Sequence, residues 1–261
     1  MMHLPALIVA LAALATAPAL ACGPTSDCLI EDGTYRIRMP DGPPAGAIVF
    51  AHGYRGTTAG TMGNARLEAM ARERGLALIA IKSADEDWTL PHAPSDGLRP
   101  ARDEPAYIAR VQADAVARFG LDPARMMMAG FSAGGMMTWT MACDRPDAFG
   151  AYVALSGTFW APVPEACAGR ATLHHIHGTS DTVVPIAGRA IGPARQGDVT
   201  DALAMYRRSA SFENTTPFAL ADLDCTAWTT GGETLSYCLH PGGHSFSTDW
   251  LATIWDRTFP N

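Results

Sequence analysis

Basic side chains and long apolar segments are scarce in this sequence. Its 261 residues contain one lysine, Lys82, the arginines are spread along the chain, and the formal net charge is −7. Proteins that bind nucleic acid carry a basic face or stripe, so this charge pattern argues against a nucleic-acid partner. Beyond residues 1–21, no segment approaches the roughly 20 apolar residues that a membrane-spanning helix needs. The chain also has no internal repeat and no CxxC pair of the kind that binds zinc.

The first 21 residues are typical of a secretory signal peptide. They contain no charged side chain, and an apolar stretch at residues 6–15 precedes Ala19-Leu20-Ala21, a small-x-small cleavage sequence. Cleavage there leaves residues 22–261, a suitable length for one domain. Lipid attachment to Cys22 is an alternative, but it would leave an odd number of cysteines. We therefore expect a soluble protein of the periplasm or the extracellular space.

Residues 130–134, GFSAG, carry the strongest chemical signal. They follow an apolar run at residues 126–129 that is typical of a strand buried in a parallel sheet, and residues 135–142 are typical of a helix. A serine on such a sharp strand-to-helix turn holds its hydroxyl clear of its neighbours, and the flanking glycines avoid collisions in the turn. We therefore interpret Ser132 as a nucleophile.

A serine nucleophile needs a base and a group that orients the base. Asp181 comes after a strand-like run at residues 172–177, and His244 lies in a glycine-rich loop ahead of a final helix at residues 247–257. An acid and then a histidine is the order in which these partners follow a serine on such a turn. We expect Ser132, Asp181 and His244 to form a catalytic triad, with Asp181 as an ordinary turn residue the alternative.

Acyl transfer also needs backbone donors for the oxyanion that develops in the transition state. We expect one from the N–H of Ala133, at the start of the helix that follows Ser132. We expect the second from Tyr54, on the loop after a predicted strand at residues 47–51. His52 on the same loop is interpreted as a structural brace, because the base is already assigned.

Three aromatic residues follow strands at the predicted catalytic edge, where the sites of α/β proteins are built. We expect Tyr54, Trp88 and Trp160 to contact the substrate, as a platform for an aromatic acyl group or a polymer chain. For each tryptophan the alternative is that it only covers the edge of the core.

Three histidines in a short run raise the question of a metal site. On a strand, His175 and His177 share one face while His174 takes the other, and no matching cysteine or acidic ligand set lies nearby. We therefore expect no metal and no cofactor.

The 6 cysteines indicate an oxidising compartment. Gly231-Gly232 is a two-residue hairpin signal between strand-like segments. The register it implies places Cys225 opposite Cys238 in a non-hydrogen-bonded pair, with Cα atoms about 4.5–5.5 Å apart and within reach of a disulfide. Other connectivities remain open for the rest, among which we favour Cys22–Cys28 and Cys143–Cys167.

These motifs together resemble the α/β-hydrolase superfamily. The matching segments are His52-Gly53, residues 130–135, residues 177–181 and Gly243-His244. More narrowly, the chain resembles bacterial secreted polyhydroxybutyrate depolymerases and feruloyl esterases, through LDPAR at residues 121–125 and DRPDAF at residues 144–149. The resemblance runs from about residue 35 to the C terminus, and it implies one α/β domain with a mostly parallel central sheet and helices on both faces.

The resemblance implies a secreted serine esterase that forms an acyl-enzyme intermediate on feruloyl, aryl or polyester substrates and works as a monomer. A serine peptidase of the same fold is one alternative, but the sequence offers no propeller or lid domain to gate peptides. A non-catalytic binding protein on a hydrolase scaffold is another, and such a protein has no need of a complete triad. We expect residues 22–261 to form the catalytic domain without a separate substrate-binding module.

Overall fold

The computed structural model describes residues 22–97, 102–221 and 223–260. The predicted signal peptide, residues 1–21, lies outside the described residues. The strands are β1 (Cys28–Ile30), β2 (Gly33–Arg38), β3 (Gly46–Ala51), β4 (Leu76–Ile81), β5 (Met126–Phe131), β6 (Ala151–Leu155), β7 (Leu173–Gly178), β8 (Ala190–Ile191), β9 (Ala194–Arg195), β10 (Asn214–Thr216), β11 (Asp224–Thr230) and β12 (Glu233–His240). The helices are α1 (Thr58–Met62), α2 (Ala65–Glu73), α3 (Glu104–Phe119), α4 (Ala133–Asp144), α5 (Val199–Ser209) and α6 (Thr248–Thr258).

One sheet of the described chain has 10 strands, in the order β1-β2-β4-β3-β5-β6-β7-β12-β11-β10. The central pairings, from β4 across to β12, are all parallel. The outer pairings on both sides are antiparallel. The carboxyl ends of β3, β5, β7 and β12 therefore meet at one edge of the sheet, and the predicted mostly parallel sheet is confirmed.

The sheet is buried between two layers of helices. Along β3, Val49 packs in one core with residues of α3, α4 and α5, whereas Ile48 and Phe50 pack in a second core with residues of α2 and α6. Every residue of β3 and β4 is buried, as expected for parallel strands covered on both faces. Helices on both faces are thus confirmed.

Short sequence signals explain where the helices begin and end. The side chain of Asp103 accepts a hydrogen bond from the N–H of Ala106 at the start of α3, and Gly120 ends this helix with a φ of 66°. Ser247 caps α6 through its hydroxyl, and this helix agrees closely with the predicted helix at residues 247–257. None of the helices in the described ranges is long and apolar enough to cross a membrane.

Strands β11 and β12 form the predicted hairpin in the predicted register. Thr230 pairs with Glu233, and Cys225 pairs with Cys238. These two cysteines are joined by a disulfide, with their Cα atoms 4.1 Å apart, which is shorter than the predicted separation of about 4.5–5.5 Å. Gly231, in the turn, has a φ of 57°, which residues with a side chain rarely adopt.

The structure contains two further disulfides, which are the pairs favoured from the sequence. Cys22 is bonded to Cys28, and Cys143 near the end of α4 is bonded to Cys167. The sulfur of Cys22, considered above for a lipid, is therefore already bonded. Three disulfides in a small domain are typical of proteins that fold in an oxidising compartment.

His174 on β7 is buried in a way that opposes its protonation. Its Nδ1 lies 2.7 Å from the hydroxyl of Ser236, and its ring stacks on Phe218 at a centroid distance of 5.4 Å. Its Nε2 has no hydrogen-bond partner in the described part of the chain. Burial lowers the pKa of His174 to about 4, with a further contribution from the positive charge of Arg257.

We expect His174 to make folding stability depend on pH. Below the ordinary histidine pKa of about 6.5, this side chain binds a proton in the unfolded protein but stays neutral in the folded protein. The contribution of neutral His174 to the free energy of unfolding is therefore fully present above that pH and is lost as the pH falls. Between pH 7 and pH 5 the wild type should lose about 2 kcal/mol relative to His174→Gln, measured by urea unfolding. Parallel stability profiles for the two proteins would contradict this assignment.

Candidate active site

Ser132 lies on the strained turn between β5 and α4. Its φ of 59° and ψ of −121° fall in a region that non-glycine residues seldom adopt, at a cost of about 1–3 kcal/mol. A Cβ on Gly130 would lie 2.1 Å from the carbonyl oxygen of Gly134, and one on Gly134 would lie 2.0 Å from that of Ala51. Both flanking positions therefore require glycine, as predicted. The close backbone packing around them fixes the position of Ser132 on the turn.

Asp181 and His244 meet above the ends of β7 and β12. The Nδ1 of His244 donates a hydrogen bond to Oδ2 of Asp181 at 2.7 Å. The other carboxylate oxygen, Oδ1, accepts from the backbone N–H groups of Val183 at 2.8 Å and Val184 at 2.9 Å. The carboxylate is buried, and its bonds fix both its orientation and the proton of His244 on Nδ1. The lone pair of Nε2 is thereby left to act as a base.

The loop that carries His244 lies over the turn that carries Ser132. The rings of Phe131 and His244 are 4.7 Å apart, and those of Phe131 and Phe246 are 5.0 Å apart. The hydroxyl of Ser156 also donates to the carbonyl oxygen of Ser245 at 3.5 Å. No hydrogen bond joins Ser132 Oγ to His244 among the described residues. Such contacts are often long before a substrate binds, so the pair can still work together.

A cavity of about 710 Å³ opens at Ser132. Ala133, Tyr54 and Trp160 line it, and the last two are among the aromatic residues predicted to contact the substrate. Tyr54 is 56% exposed, whereas Trp160 is buried, with 7% of its surface accessible. The volume is within the usual range of small-molecule sites.

The two predicted oxyanion donors both border this cavity. Neither the N–H of Tyr54 nor that of Ala133 has a protein acceptor within the ranges that the structure describes. The loop of Tyr54 is held by His52, whose Nδ1 lies 2.8 Å from the carbonyl oxygen of Gly53 and whose Nε2 accepts from the N–H of Ser83 at 3.4 Å. These contacts agree with the interpretation of His52 as a brace.

The prediction that Trp88 contacts the substrate is wrong. Its side chain is fully buried and does not line the cavity. Its Nε1–H donates to the carbonyl oxygen of His52 at 2.8 Å, and the two rings pack at a centroid distance of 5.1 Å. A buried indole needs an acceptor for its N–H. For Trp88 this acceptor is the carbonyl oxygen of His52, so the buried indole packs under the loop that carries Tyr54 and holds it in place.

Acidic side chains form one wall of the cavity. Asp85, Glu86 and Asp87 line it in succession after β4. Glu86 is paired with Arg55 at 3.0 Å on the exposed rim. Burial raises the pKa of Asp87 to about 6, against the opposing effect of the bond that it accepts from the N–H of Trp88.

A chain of hydrogen bonds between histidines runs behind Asp181. Trp139 Nε1–H donates to His175 Nδ1 at 3.0 Å, and His175 Nε2 lies 3.0 Å from His177 Nδ1. His177 Nε2 lies 2.7 Å from the carbonyl oxygen of Val184. Because an indole can only donate and a carbonyl can only accept, every bond in the chain must point the same way. The chain ends on Val184, whose own N–H binds Asp181.

Burial opposes the protonation of both histidines of this chain. Burial lowers the pKa of His177 and lowers that of His175 well below its usual range. All four ring nitrogens are engaged in hydrogen bonds, so none is left to bind a metal. No cluster of three or more potential metal-binding side chains occurs in the described residues.

Sequence reasoning missed Gln196 and the three acidic residues on the cavity wall. Gln196 follows the two-residue strands β8 and β9, a segment too short for any periodic pattern. The acidic residues come four to six positions after the end of β4, and a position soon after a strand at this edge of the sheet is a usable signal.

Comparisons with known proteins find similarity to esterases. The sequence profile of a phospholipase/carboxylesterase family matches residues 107–192, which include Ser132 and Asp181. A putative esterase, NocK from Nocardia uniformis subsp. tsuyamanensis, is 30% identical over 158 residues, which make up 60% of this chain. The matched segment covers 45% of NocK, so the chain spans about half the length of this curated relative.

Two solved structures resemble most of the chain. The carboxylesterase from Mesorhizobium loti matches with a TM-score of 0.59 at 16% identity, covering 90% of this chain and 99% of its own. Esterase PE8 matches with a TM-score of 0.56 at 19% identity, covering 85% and 95%. The chain has the α/β-hydrolase fold.

The disulfide between Cys225 and Cys238 should hold the His244 loop in place. The loop leaves β12 soon after Cys238, so fraying of the hairpin would release it, whereas the disulfide itself stabilises the domain by about 3 kcal/mol at most. In the Cys225→Ser/Cys238→Ser double variant, amide hydrogen exchange at residues 239–246 should rise about tenfold while β5 stays protected. Mass spectrometry of peptides would measure both.

The Cys143→Ser/Cys167→Ser double variant is the matched control, since it removes a disulfide of the same fold far from that loop. It should leave exchange at residues 239–246 unchanged. Equal effects of the two double variants on the loop would contradict a local role for Cys225–Cys238.

Proposed function

We propose that this protein hydrolyses carboxylic esters, with Ser132 as nucleophile, His244 as base and Asp181 as the group that orients the base. The observation that carries the proposal is the hydrogen bond between His244 and Asp181 at the edge of the sheet where Ser132 faces a cavity. The family profile and the esterase relative support the same reaction class.

In the first half of the reaction, Ser132 Oγ attacks the ester carbonyl carbon while His244 Nε2 takes its proton. The carbonyl oxygen becomes an oxyanion, and the imidazolium that forms is stabilised by the buried carboxylate of Asp181. Collapse of the tetrahedral intermediate breaks the bond to the alcohol oxygen. His244 gives that oxygen its proton, and an acyl group remains on Ser132.

In the second half, water attacks the acyl carbonyl carbon and gives a proton to His244 Nε2. Collapse of the second intermediate breaks the bond to Ser132 Oγ, which takes the proton back, and the acid is released. In both halves the N–H groups of Tyr54 and Ala133 would stabilise the oxyanion, each contributing about 3–4 kcal/mol to lowering the barrier.

We also propose feruloyl, aryl or polyester substrates and a secreted location. The LDPAR and DRPDAF segments and the aromatic residues Tyr54 and Trp160 at the cavity support this substrate range. The three disulfides and the signal-like residues 1–21 support secretion.

Replacing Ser132 by alanine should abolish ester hydrolysis and leave the fold intact, because the hydroxyl does chemistry and fills no core space. We expect kcat/KM for p-nitrophenyl butyrate to fall by at least about 10³-fold, with an unchanged melting temperature. Ser209→Ala, on helix α5 away from the site, is the matched control and should retain full activity. Substantial hydrolysis by Ser132→Ala would refute the assignment of the nucleophile.

A further inference from the structure

Asp87 places a carboxylate without a cationic partner on the cavity at Ser132. It is partly exposed and lines this cavity, whereas the next side chain, Trp88, is fully buried in the core. Its Oδ1 accepts a hydrogen bond from the N–H of Trp88 at 2.9 Å. Its Oδ2 accepts none from the described residues, and it is not among their buried polar atoms that lack a partner, so it is accessible. This oxygen is therefore available to a ligand in the cavity.

The basic side chains nearest to this part of the cavity are engaged with other groups. Arg55 is paired with Glu86 at 3.0 Å on the exposed rim. Arg189, which also lines the cavity, donates its Nε to the carbonyl oxygen of Val183 at 2.8 Å. No salt bridge joins Asp87 to a basic side chain within the ranges that the structure describes. The carboxylate of Asp87 therefore has no counterion from the protein there.

The ionisation of Asp87 agrees with the lack of a counterion. Burial raises its pKa to about 6, and the only opposing influence is the hydrogen bond from the N–H of Trp88. The pKa of Asp87 responds to none of the charged and titratable groups around its segment, which are Lys82, Asp85 and Glu86 along the chain, His52 packed on Trp88, Glu104 with Arg102 on α3, and Arg189 on the cavity lining. Above about pH 6 this carboxylate thus holds a charge that has lost part of its hydration.

An ammonium group is the ligand that best fits an isolated, partly shielded carboxylate. It can donate a hydrogen bond to Oδ2 of Asp87, and it also supplies the missing positive charge. Hydrogen bonds with charged partners are roughly twice as strong as those between neutral groups. The attraction between opposite charges also grows where a bound molecule displaces water, as in a cavity filled by substrate. A ligand carboxylate would be repelled at the same position.

We propose that Asp87 is a specificity-determining residue that binds a protonated amine of the substrate, so that the enzyme prefers esters with an ammonium group over neutral esters of the same shape. This inference rests on the ester hydrolysis proposed above. The amine belongs to either the acyl or the alcohol part of the ester, and the substrates chosen below distinguish the two.

The test compares pairs of esters that differ only in charge. 2-(Dimethylamino)ethyl butyrate carries the ammonium in the alcohol part, and 3-methylbutyl butyrate is its neutral isostere. Ethyl 4-(dimethylamino)butanoate carries it in the acyl part, and ethyl 5-methylhexanoate is its neutral isostere. In the wild type at about pH 7.5, kcat/KM should be about tenfold higher for the charged member of one pair. In Asp87→Asn, which keeps the size of the side chain and its acceptor oxygen, the two members should agree within about twofold.

The pH dependence of the wild type gives a test that needs no variant. Both members of a pair use the same base, so the ratio of their kcat/KM values is independent of the protonation of His244. Because kcat/KM reports the groups of the free enzyme, this ratio should be constant above about pH 7 and fall toward one as Asp87 binds a proton near its pKa of about 6. A ratio that keeps its full value down to about pH 5 would contradict the proposal.

Asp147→Asn is the matched control. Asp147 is exposed and precedes β6, at the edge of the sheet opposite the cavity, and its replacement makes the same change of charge. This variant should leave the ratio between charged and neutral esters unchanged. An equal loss of the ratio in both variants, or no preference of the wild type in either pair, would overturn the proposal. An equal preference for 2-hydroxyethyl butyrate would also overturn it, because that ester donates a hydrogen bond without a charge.

Binding to inactive protein separates this inference from the proposed function. The two charged esters and their neutral isosteres are titrated into Ser132→Ala with and without Asp87→Asn, followed by ligand-observed NMR. If the wild type hydrolyses none of the esters but a charged ester binds more tightly and Asp87→Asn removes the difference, ester hydrolysis is wrong and the role of Asp87 stands. If esters are hydrolysed and neither binding nor the rate ratio responds to Asp87→Asn, the role of Asp87 is wrong.

Discussion

The need to satisfy one buried carboxylate organises the active edge of this molecule. Asp181 is shielded from water, so its charge is tolerated only because Val183, Val184 and His244 all donate to it. Two of these donors come from the loop after β7, and the third comes from the loop after β12. The parallel pairing of β7 with β12 brings the two loops together. The sheet order thus determines which histidine can meet this carboxylate.

The hydrogen-bond chain through Trp139, His175 and His177 extends this organisation into the core. Its direction is fixed at both ends, by an indole that can only donate and a carbonyl that can only accept. A proton added to either histidine would place two donors face to face, which burial already opposes. Because Trp139 lies on α4, this chain of hydrogen bonds connects the segment next to Asp181 to the helix that begins immediately after Ser132. Ser132 and Asp181 therefore share one rigid support.

Local patterns predicted much of this arrangement from the sequence. The apolar strands, the glycines around Ser132 and the order of Ser132, Asp181 and His244 each follow from short-range rules, and the Gly231-Gly232 turn fixes the register of Cys225 and Cys238. Trp88 could not be placed in this way, because the acceptor for its indole is 36 residues away. Gln196, which lines the cavity, was missed because it follows two-residue strands that carry no periodic pattern.

The single lysine gives the protein an unusual chemical handle. Lys82 follows β4 directly, its side chain is exposed, and residues 84–87 on the cavity wall begin two positions later. Its backbone is anchored, because its N–H binds the hydroxyl of Tyr107 and its carbonyl oxygen accepts from Arg102. Amine-directed dyes or surface linkers would therefore attach at this one side chain, apart from the chain's amino terminus. A fluorophore attached to Lys82 would lie on an anchored backbone segment next to the acidic wall, and its emission would respond to molecules that enter the cavity.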